Sequence, residues 1–423
     1  MEPQISMQDI LRQPETIEDL GIPPSIVTDM MLRMLFTEGD VSLRRFADVM
    51  RISATLIDTL LLRMQQEHII EVSKAGNIGR GSYIYSLTEA GVGRSRDALE
   101  RTQYIGAIPV PIEVYSAAIQ LQTQDRARIP AEKVQESIQK LILPQGFHRR
   151  IGPAVNAGTS LFLYGPPGNG KTTVAQAIAG LIAGSDPIWL PHALTTGGQI
   201  IGTYDPLIHR AVEGQTGTLG EYDRRWTLFE RPIVMVGGEL TMEALDLRFD
   251  EVAKFYEAPL QLKANGGMFL IDDFGRQQMR PIELLNRWIV PLESGYDFLR
   301  LRTGQSMQIP FRQLIVFSTN LDPNELVDGA FLRRIQMKVQ IDSPDERMFF
   351  QIFATMCKKM RIPLDKDSFL YLLQKWYREP GRTFQAVHPR DILNIVQSLC
   401  EYEEKPVQLS PQLIDEACSS YFV

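Results

Sequence analysis

One stretch near the middle of the chain limits the possible fold more than any other. An apolar run, SLFLY, is followed by the loop GPPGNGKT and then by an alanine-rich segment, TVAQAIAGLIAG. This is the spacing GxxxxGK[ST] between a strand and a helix, with Gly165 and Gly170 as its fixed glycines. Glycine is required because backbone N–H groups must close around phosphate oxygens, and the helix N-terminus adds positive potential. The stretch therefore predicts an α/β fold with a nucleoside triphosphate site.

The residues of this loop have distinct expected roles. We expect Lys171 to reach the outer phosphates and the Thr172 hydroxyl to bind Mg²⁺, so that ATP and Mg²⁺ are the predicted cofactors. The predicted nucleotide-binding residues are Gly165, Pro166, Pro167, Gly168, Asn169, Gly170, Lys171, Thr172 and Thr173.

A second apolar strand, GGMFLIDD, ends in two carboxylates. Asp272 is the predicted metal-side residue, because an acidic group at the end of a neighbouring strand holds Mg²⁺ through water. Asp273 is placed to orient or deprotonate the attacking water. The alternative is that Asp273 caps the following turn, FGRQ, a position that aspartate favours.

Polar residues after a third strand complete the predicted site. RQLIVFSTN ends in Asn320, whose amide is suited to a phosphate oxygen or the attacking water. Arg333 and Arg334 close the segment NELVDGAFLRRI, and an arginine on a subunit surface can neutralise charge on a neighbour's γ-phosphate. A surface ion pair is the alternative for these arginines.

With these motifs in this order, the chain from about residue 140 onward resembles an AAA+ ATPase. The resemblance implies Walker A at the glycine loop, Walker B at Asp272, sensor 1 at Asn320, an arginine finger at Arg333 or Arg334, and a ring, typically a hexamer. In HPRDIL it implies a sensor 2 arginine at Arg390. Most members have glutamate where this chain has Asp273, which puts the rate of hydrolysis in question.

Two segments add to the minimal core. A predicted hairpin around Thr303-Gly304 resembles the pre-sensor 1 insertion of MoxR-type AAA+ groups, which makes Arg300 and Arg302 candidate remodelling contacts. An exposed basic hairpin without a partner is the alternative. Residues 223–267 are interpreted as extra sheet and packing surface.

The N-terminal region predicts a different unit. A loosely attached arm precedes three helical stretches and two strands around NIGRG, which together indicate a winged helix. The predicted architecture is therefore a P-loop AAA+ core (parallel sheet) with an N-terminal winged-helix domain and a C-terminal α-helical lid. Four divisions are predicted. They are the arm and winged helix (1–105), a linker with a leading helix (106–139), the nucleotide-binding core (140–344) and the helical lid (345–423).

Charge favours a protein partner over DNA for the winged helix. From residue 24 to 102 ten basic residues balance ten acidic ones, whereas phosphate contacts need an excess of cations. Arg44, Arg45 and Arg80 keep nucleic acid open as the alternative.

Composition bounds the remaining possibilities. The 423 residues carry a net charge of −7 and contain no apolar run of the roughly 18 residues that a membrane span needs. Three cysteines without CxxC spacing favour neither disulfides nor zinc, and a cytoplasmic location is expected. Together with this composition, the resemblance to AAA+ ATPases implies a homo-oligomeric, chaperone-like ATPase acting on a protein partner. The alternatives are a DNA-associated regulator and a scaffold that binds ATP with weak hydrolysis.

Overall fold

The computed structural model describes residues 6–75, 80–124, 127–213, 222–326 and 329–422. A five-stranded parallel sheet with helices on both faces forms its centre. A second, mixed sheet is built largely from the insertions between the parallel strands, and helical regions lie at both ends of the chain.

The N-terminal region packs helices against a three-stranded antiparallel sheet of order β1-β3-β2. Its elements are α1 (Met7–Ile10), α2 (Pro24–Glu38), β1 (Val41–Ser42), α3 (Leu43–Met50), α4 (Ala54–Gln66), β2 (Ile70–Lys74), β3 (Ile84–Leu87) and α5 (Glu89–Arg101). Ser53 caps α4, since its Oγ accepts a hydrogen bond from the Leu56 N–H. The predicted helices and hairpin are present, and their assignment as a winged helix stays a prediction. The hairpin tip at 76–79 and the Arg80 side chain lie outside the described residues.

The described residues before α2, 6–23, are packed against the rest of the protein, so for this segment the expectation of a loose arm was wrong. Ile17 and Leu20 are buried in the N-terminal core. The Asp223 N–H donates to the Leu11 carbonyl at 2.8 Å, which ties the segment to a loop far along the chain. The contact partner is about two hundred residues away, and no local pattern reveals such an attachment.

The parallel sheet has the strand order β10-β13-β16-β5-β17. The strands and their flanking helices are β5 (Ser160–Tyr164), β10 (Ile233–Val236), β13 (Met268–Ile271), β16 (Leu314–Thr319), β17 (Met337–Gln340), α7 (Ala131–Ile138), α8 (His148–Ala157), α9 (Lys171–Ala183), α11 (Pro281–Ser294), α12 (Pro323–Leu326) and α13 (Gly329–Leu332). The side chains of α7, α8 and α9 pack on one face, and those of α11, including the buried Trp288, pack on the other. Because the strands are parallel, their carboxyl ends meet at one edge of the sheet.

The second sheet has the order β11-β12-β8-β7-β4. The elements of this region are β4 (Val110–Pro111), α6 (Ile112–Gln124), β6 (Ile188–Pro191), β7 (Ala193–Thr196), β8 (Gln199–Gly202), β9 (Trp226–Phe229), β11 (Arg248–Phe249), β12 (Tyr256–Glu257) and α10 (Leu260–Lys263). The predicted linker is extended, but Val110 and Ile108 within it are buried and β4 pairs with β7. Residues 223–267 do contribute sheet and packing surface, as the sequence indicated.

The predicted hairpin is formed by β14 (Tyr296–Arg300) and β15 (Ser306–Pro310). Its apolar face is buried in the same core as α6 and the second sheet. On the opposite face Arg300 is exposed. Arg302 pairs with Glu251 and lies over the Phe249 ring, 4.8 Å from its centroid. The hairpin is therefore packed on one side only, and a remodelling role for its arginines stays a prediction.

The C-terminal region is helical, as predicted. It contains α14 (Glu346–Met360), α15 (Lys366–Leu373) continued by a π-helical turn (Gln374–Arg378), α16 (His388–Tyr402) and α17 (Pro411–Tyr421). These helices enclose an apolar core of their own, which includes Phe349, Phe353 and Ile392.

The predicted fold class is confirmed, with an α/β P-loop core on a parallel sheet and a helical C-terminal region. Within the described ranges, no helix combines the length and the apolar character that crossing a bilayer requires.

Candidate functional site

The glycine loop joins the carboxyl end of β5 to the first residue of α9. Gly165 has φ 136°, and a Cβ there would lie 2.2 Å from the Ile341 carbonyl oxygen. Gly168 has φ 73°, and a Cβ there would lie 2.7 Å from a methyl carbon of Val387. Both positions thus require glycine for backbone conformation and for space.

Lys171 is buried inside the curve of this loop. Its Nζ donates to the carbonyl oxygens of Gly165 at 2.9 Å and Pro166 at 2.8 Å. Burial lowers the pKa of Lys171, and the carboxylates of Asp273 and Asp272 oppose that shift. The ammonium group therefore lies where the loop and both acidic residues meet.

Asp272 directly follows β13 and is fixed by the adjacent strand. Its N–H donates to the Val236 carbonyl at 2.8 Å, and its Oδ1 accepts from the Asp273 N–H at 3.1 Å. Thr172, at the second position of α9, is half-buried. Among the described residues no cluster of three His, Cys, Asp or Glu side chains forms a self-sufficient metal cage. One carboxylate and one hydroxyl fit Mg²⁺, which takes its other ligands from phosphate and water.

Asp273 and Asn320 come together from two neighbouring strands. Asn320 Nδ2 donates to Asp273 Oδ1 at 3.3 Å. Asp273 has φ 48°, an uncommon left-handed conformation for a residue other than glycine. Its carboxylate accepts this hydrogen bond from Asn320, and the choice between the water-orienting role and a turn cap stays a prediction.

Gln277 forms hydrogen bonds that fix the turn containing Asp273. The sequence did not predict this role. Its Nε2 donates to the carbonyl oxygens of Asp272 at 3.0 Å and Asp273 at 3.2 Å. Its Oε1 accepts from the Gly275 N–H at 2.8 Å. One amide thus bridges both ends of the left-handed turn. The sequence shows only a glutamine in a loop, so no local signal identifies this contact.

Glu239 lies at the same edge of the sheet, three residues beyond β10. Its Oε1 accepts from the Gly237 N–H at 2.9 Å, and hydrogen bonds from the N–H groups of Gly237 and of Glu239 itself lower its pKa. The rule that selected Asp272, an acidic residue after a parallel strand, also applies to Glu239. The sequence interpretation assigned residues 223–267, which include Glu239, only to extra sheet and packing surface.

The C-terminal helical region touches the glycine loop directly. The Val387 N–H donates to the Gly168 carbonyl at 2.9 Å, and the Ala386 N–H donates to Asn169 Oδ1 at 3.1 Å. Arg390, in the first turn of α16, is exposed and donates from Nε to Asp391 Oδ1 at 2.9 Å. The segment before α16 therefore contacts the glycine loop. The described hydrogen bond of the Arg390 side chain is to Asp391, the next residue in the chain.

Arg333 and Arg334 lie at the opposite end of the sheet. The Arg334 carbonyl accepts at 3.4 Å from the Oγ of Ser160, the first residue of β5. At about 3.3 Å per residue, five-residue β5 separates this end from the glycine loop by roughly 16 Å. Arg334 Nε donates to Glu293 at 2.6 Å, whereas Arg333 is exposed. The arginines are therefore at the far end of the sheet from the loop of their own chain.

Comparison with known proteins gives limited matches. A family model described as a domain of unknown function (DUF8689) matches residues 345–420, within the helical region. No curated protein matches. Among solved structures, a mutant of RuvB from Thermotoga maritima is 13% identical over 70% of this chain and 73% of that chain, with a TM-score of 0.37. NtrX from Brucella abortus in complex with ATP is 14% identical over 79% of this chain and 71% of that chain, with a TM-score of 0.40. Scores this low support no functional argument, so the fold class rests on the sheet and loop described above.

Proposed function

We propose that this chain is an AAA+ ATPase that hydrolyses ATP to ADP and phosphate and uses the cycle to remodel a protein partner. One observation carries the proposal. The buried Lys171 and the bonded pair Asp273 and Asn320 occupy one edge of the parallel sheet, beside a loop that requires glycine. This arrangement combines a phosphate-binding cation with a carboxylate for the attacking water.

Each residue has a role in the proposed reaction. Lys171 exchanges its two carbonyl partners for phosphate oxygens, and backbone N–H groups of the loop bind the remaining ones. Asp273 orients a water molecule towards the γ-phosphorus and accepts its proton, with Asn320 holding the carboxylate in place. Thr172 and, through water, Asp272 would hold Mg²⁺, which would supply positive charge to neutralise phosphate. ADP is the leaving group.

The position of Arg333 and Arg334, at the opposite end of the sheet from the glycine loop, supports an oligomeric enzyme. Since Arg333 and Arg334 lie beyond reach of the loop in their own chain, their proposed target is the γ-phosphate of a neighbouring copy in a ring, by family resemblance a hexamer. Glu293 already pairs with Arg334, so exposed Arg333 is our choice for the finger. Arg390 is proposed to turn from Asp391 to the γ-phosphate when the lid closes.

The N-terminal region is proposed to bind the protein partner. Two of its arginines considered for DNA are paired with carboxylates, Arg44 with Asp48 and Arg45 with Glu38. Phosphate contacts would have to compete with these pairs. Their neutralisation supports protein over DNA.

The proposed test is the ATPase rate per subunit as a function of protein concentration. We expect the wild-type rate to rise with concentration, because the shared site forms only on assembly, and to collapse in Arg333→Ala. Arg334→Ala should retain much of the rate, and Arg96→Ala, an exposed arginine of α5, serves as the matched control. Failure of the full chain to bind MgATP would refute the proposal.

A scaffold that binds ATP with weak hydrolysis is the second candidate, favoured by one feature. Aspartate at position 273 is one methylene shorter than the glutamate typical of the resembled family, and Asn320 holds its carboxylate. A negligible, concentration-independent rate with ATP bound would favour this candidate.

A further inference from the structure

A shallow groove lies between α14 and α15 on the surface of the C-terminal helical region. Its volume is about 480 Å³, and its apolar lining consists of Phe350, Phe369, Leu370 and Leu373. Phe369 and Leu373 are buried, whereas Leu370 is 57% exposed. The proposed reaction uses none of these residues.

Two cations flank this apolar lining. Arg347, in the first turn of α14, and Lys366, the first residue of α15, are both exposed. Within the described ranges neither cation forms an ion pair, whereas Glu346, the acidic residue that lines the groove, is paired with Arg378 at 2.8 Å. The N-terminus of a helix favours negative charge, so the two cations do not stabilise their own helices.

The other acidic residues at these two helix starts do not line the groove. Asp345 Oδ1 accepts from the Met348 N–H at 2.7 Å, and Asp365 Oδ2 accepts from the Ser368 N–H at 2.9 Å. Each of these carboxylates therefore caps its own helix. Asp367 is exposed outside the groove. The side chains that line the groove thus combine an apolar surface with a net positive charge.

A segment of opposite charge ends α16 in the same helical region. Glu401, Glu403 and Glu404 flank Tyr402, which is 89% exposed. Negative charge is unfavourable at the C-terminus of a helix, and Glu404 has φ 55°, an uncommon conformation for a residue other than glycine. Glu403 is paired with Lys405 at 2.7 Å. The stability of α16 therefore does not explain this acidic segment, which comprises residues 401–404.

We propose that the acidic segment of one copy of this chain docks into the groove of a second copy. The Tyr402 ring packs on Phe350 and Phe369. Arg347 and Lys366 pair with the glutamates beside it. Tyr402 does not line the groove of its own chain and is almost fully exposed there, so the contact joins two copies. It does not involve the glycine loop and is independent of the proposed function.

Other exposed apolar side chains fit the groove less well than Tyr402. Leu207 is equally exposed at 89%, but the nearby Asp205 carboxylate is already in an ion pair. Val252 is 74% exposed, and the adjacent Glu251 is also in an ion pair. Tyr402 combines an exposed ring with glutamates on both sides, which matches both the apolar lining and the charge of the groove.

Sedimentation velocity of the full chain without nucleotide tests this contact. We expect the wild type to associate as its concentration rises, and to associate more weakly at high salt because the ion pairs are exposed. Tyr402→Ser and the double substitution Arg347→Glu with Lys366→Glu should each raise the dissociation constant about tenfold or more. Glutamate is favourable in the first turn of a helix, so the double variant should fold. Leu207→Ser is the matched control and should associate as the wild type does.

Mixing the two variants tests the geometry of the contact. Because the groove and the acidic segment are different surfaces, the contact is heterologous and joins copies head to tail. The double variant keeps Tyr402 and the Tyr402→Ser chain keeps the groove, so their mixture should form a complex of two chains and nothing larger. The proposal is overturned if the wild type stays monomeric, if either variant associates as the wild type does, or if the mixture forms no complex. Failure to bind MgATP would refute the proposed function and leave this test unaffected.

Discussion

Asn320 and Asp273 are joined by a hydrogen bond of 3.3 Å between the amide Nδ2 and the carboxylate Oδ1. The two residues follow neighbouring strands, β16 and β13, that pair in parallel register. This hydrogen bond links the ends of the two strands. In the proposed reaction, Asn320 therefore positions the carboxylate that orients the attacking water.

Substitutions at Asp273 test this role. We expect Asp273→Asn to lower ATP turnover about 100-fold while nucleotide binding persists, because an amide cannot accept the proton from water. We expect Asp273→Glu to raise turnover several-fold, because the added methylene extends the carboxylate towards the phosphates. Steady-state turnover and nucleotide affinity measured together separate the two effects. Unchanged turnover in Asp273→Asn would remove the residue from the reaction.

The isosteric change Gln277→Glu tests the clamp on the Asp273 turn. A carboxylate keeps the bond from Gly275 N–H but cannot donate to the carbonyl oxygens of Asp272 and Asp273. We expect kcat to fall about tenfold with KM nearly unchanged, because Asp273 is misplaced while the phosphate loop is untouched. A rise in KM with an intact kcat would instead assign Gln277 to binding. Gln278→Glu, one residue along, is the matched control.

The contact between the helical region and the glycine loop is tested by two alanine substitutions. A Cβ at Gly168 would lie 2.7 Å from Val387, whereas a Cβ at Gly170 meets no atom within 4 Å. Both positions have positive φ, so both variants carry the left-handed backbone cost of about 1–2 kcal/mol. Only Gly168→Ala should speed hydrogen exchange at the amides of Ala386 and Val387. Equal exchange in both variants would show that the contact does not depend on the space at Gly168.

The parts of the site that could be predicted are those marked by a short, continuous stretch of sequence. The glycine loop, Asp272, Asp273 and Asn320 each sit at the end of a continuous apolar strand, and a parallel sheet brings such ends together. Their assembly at one edge could therefore be inferred from sequence alone.

Features that depend on distant contacts could not be inferred. Nothing around Gln277 indicates that its amide bonds two carbonyls of the preceding turn. The attachment of Leu11 to Asp223 and the burial of Val110 in a second sheet depend on segments far apart in the chain. The sequence left two possible roles for Arg334, an arginine finger or a surface ion pair. The ion pair became apparent only in the structure, which places Arg334 beside Glu293.

The pH dependence of stability gives a final prediction, centred on His388 at the start of α16. Burial and the nearby Arg382 guanidinium lower the pKa of His388 to about 4, against an opposing effect of Asp391. The Tyr377 hydroxyl lies 2.9 Å from its Nδ1 in the helical core. Unfolding restores the ordinary histidine pKa of about 6.5, so the unfolded chain binds a proton that the folded chain does not.

Because of His388, the free energy of unfolding falls as pH drops from about 6.5 to about 4. The decrease is on the order of 2 kcal/mol near pH 4. His388→Gln keeps a polar partner for Tyr377 and cannot be protonated in this range. We expect the free energy of unfolding of this variant, measured in denaturant from pH 7 to pH 4.5, to decline less steeply than that of the wild type. His68→Gln, at an exposed histidine in the N-terminal region, is the matched control. Parallel pH profiles for wild type and His388→Gln would mean that folding does not lower the pKa of His388.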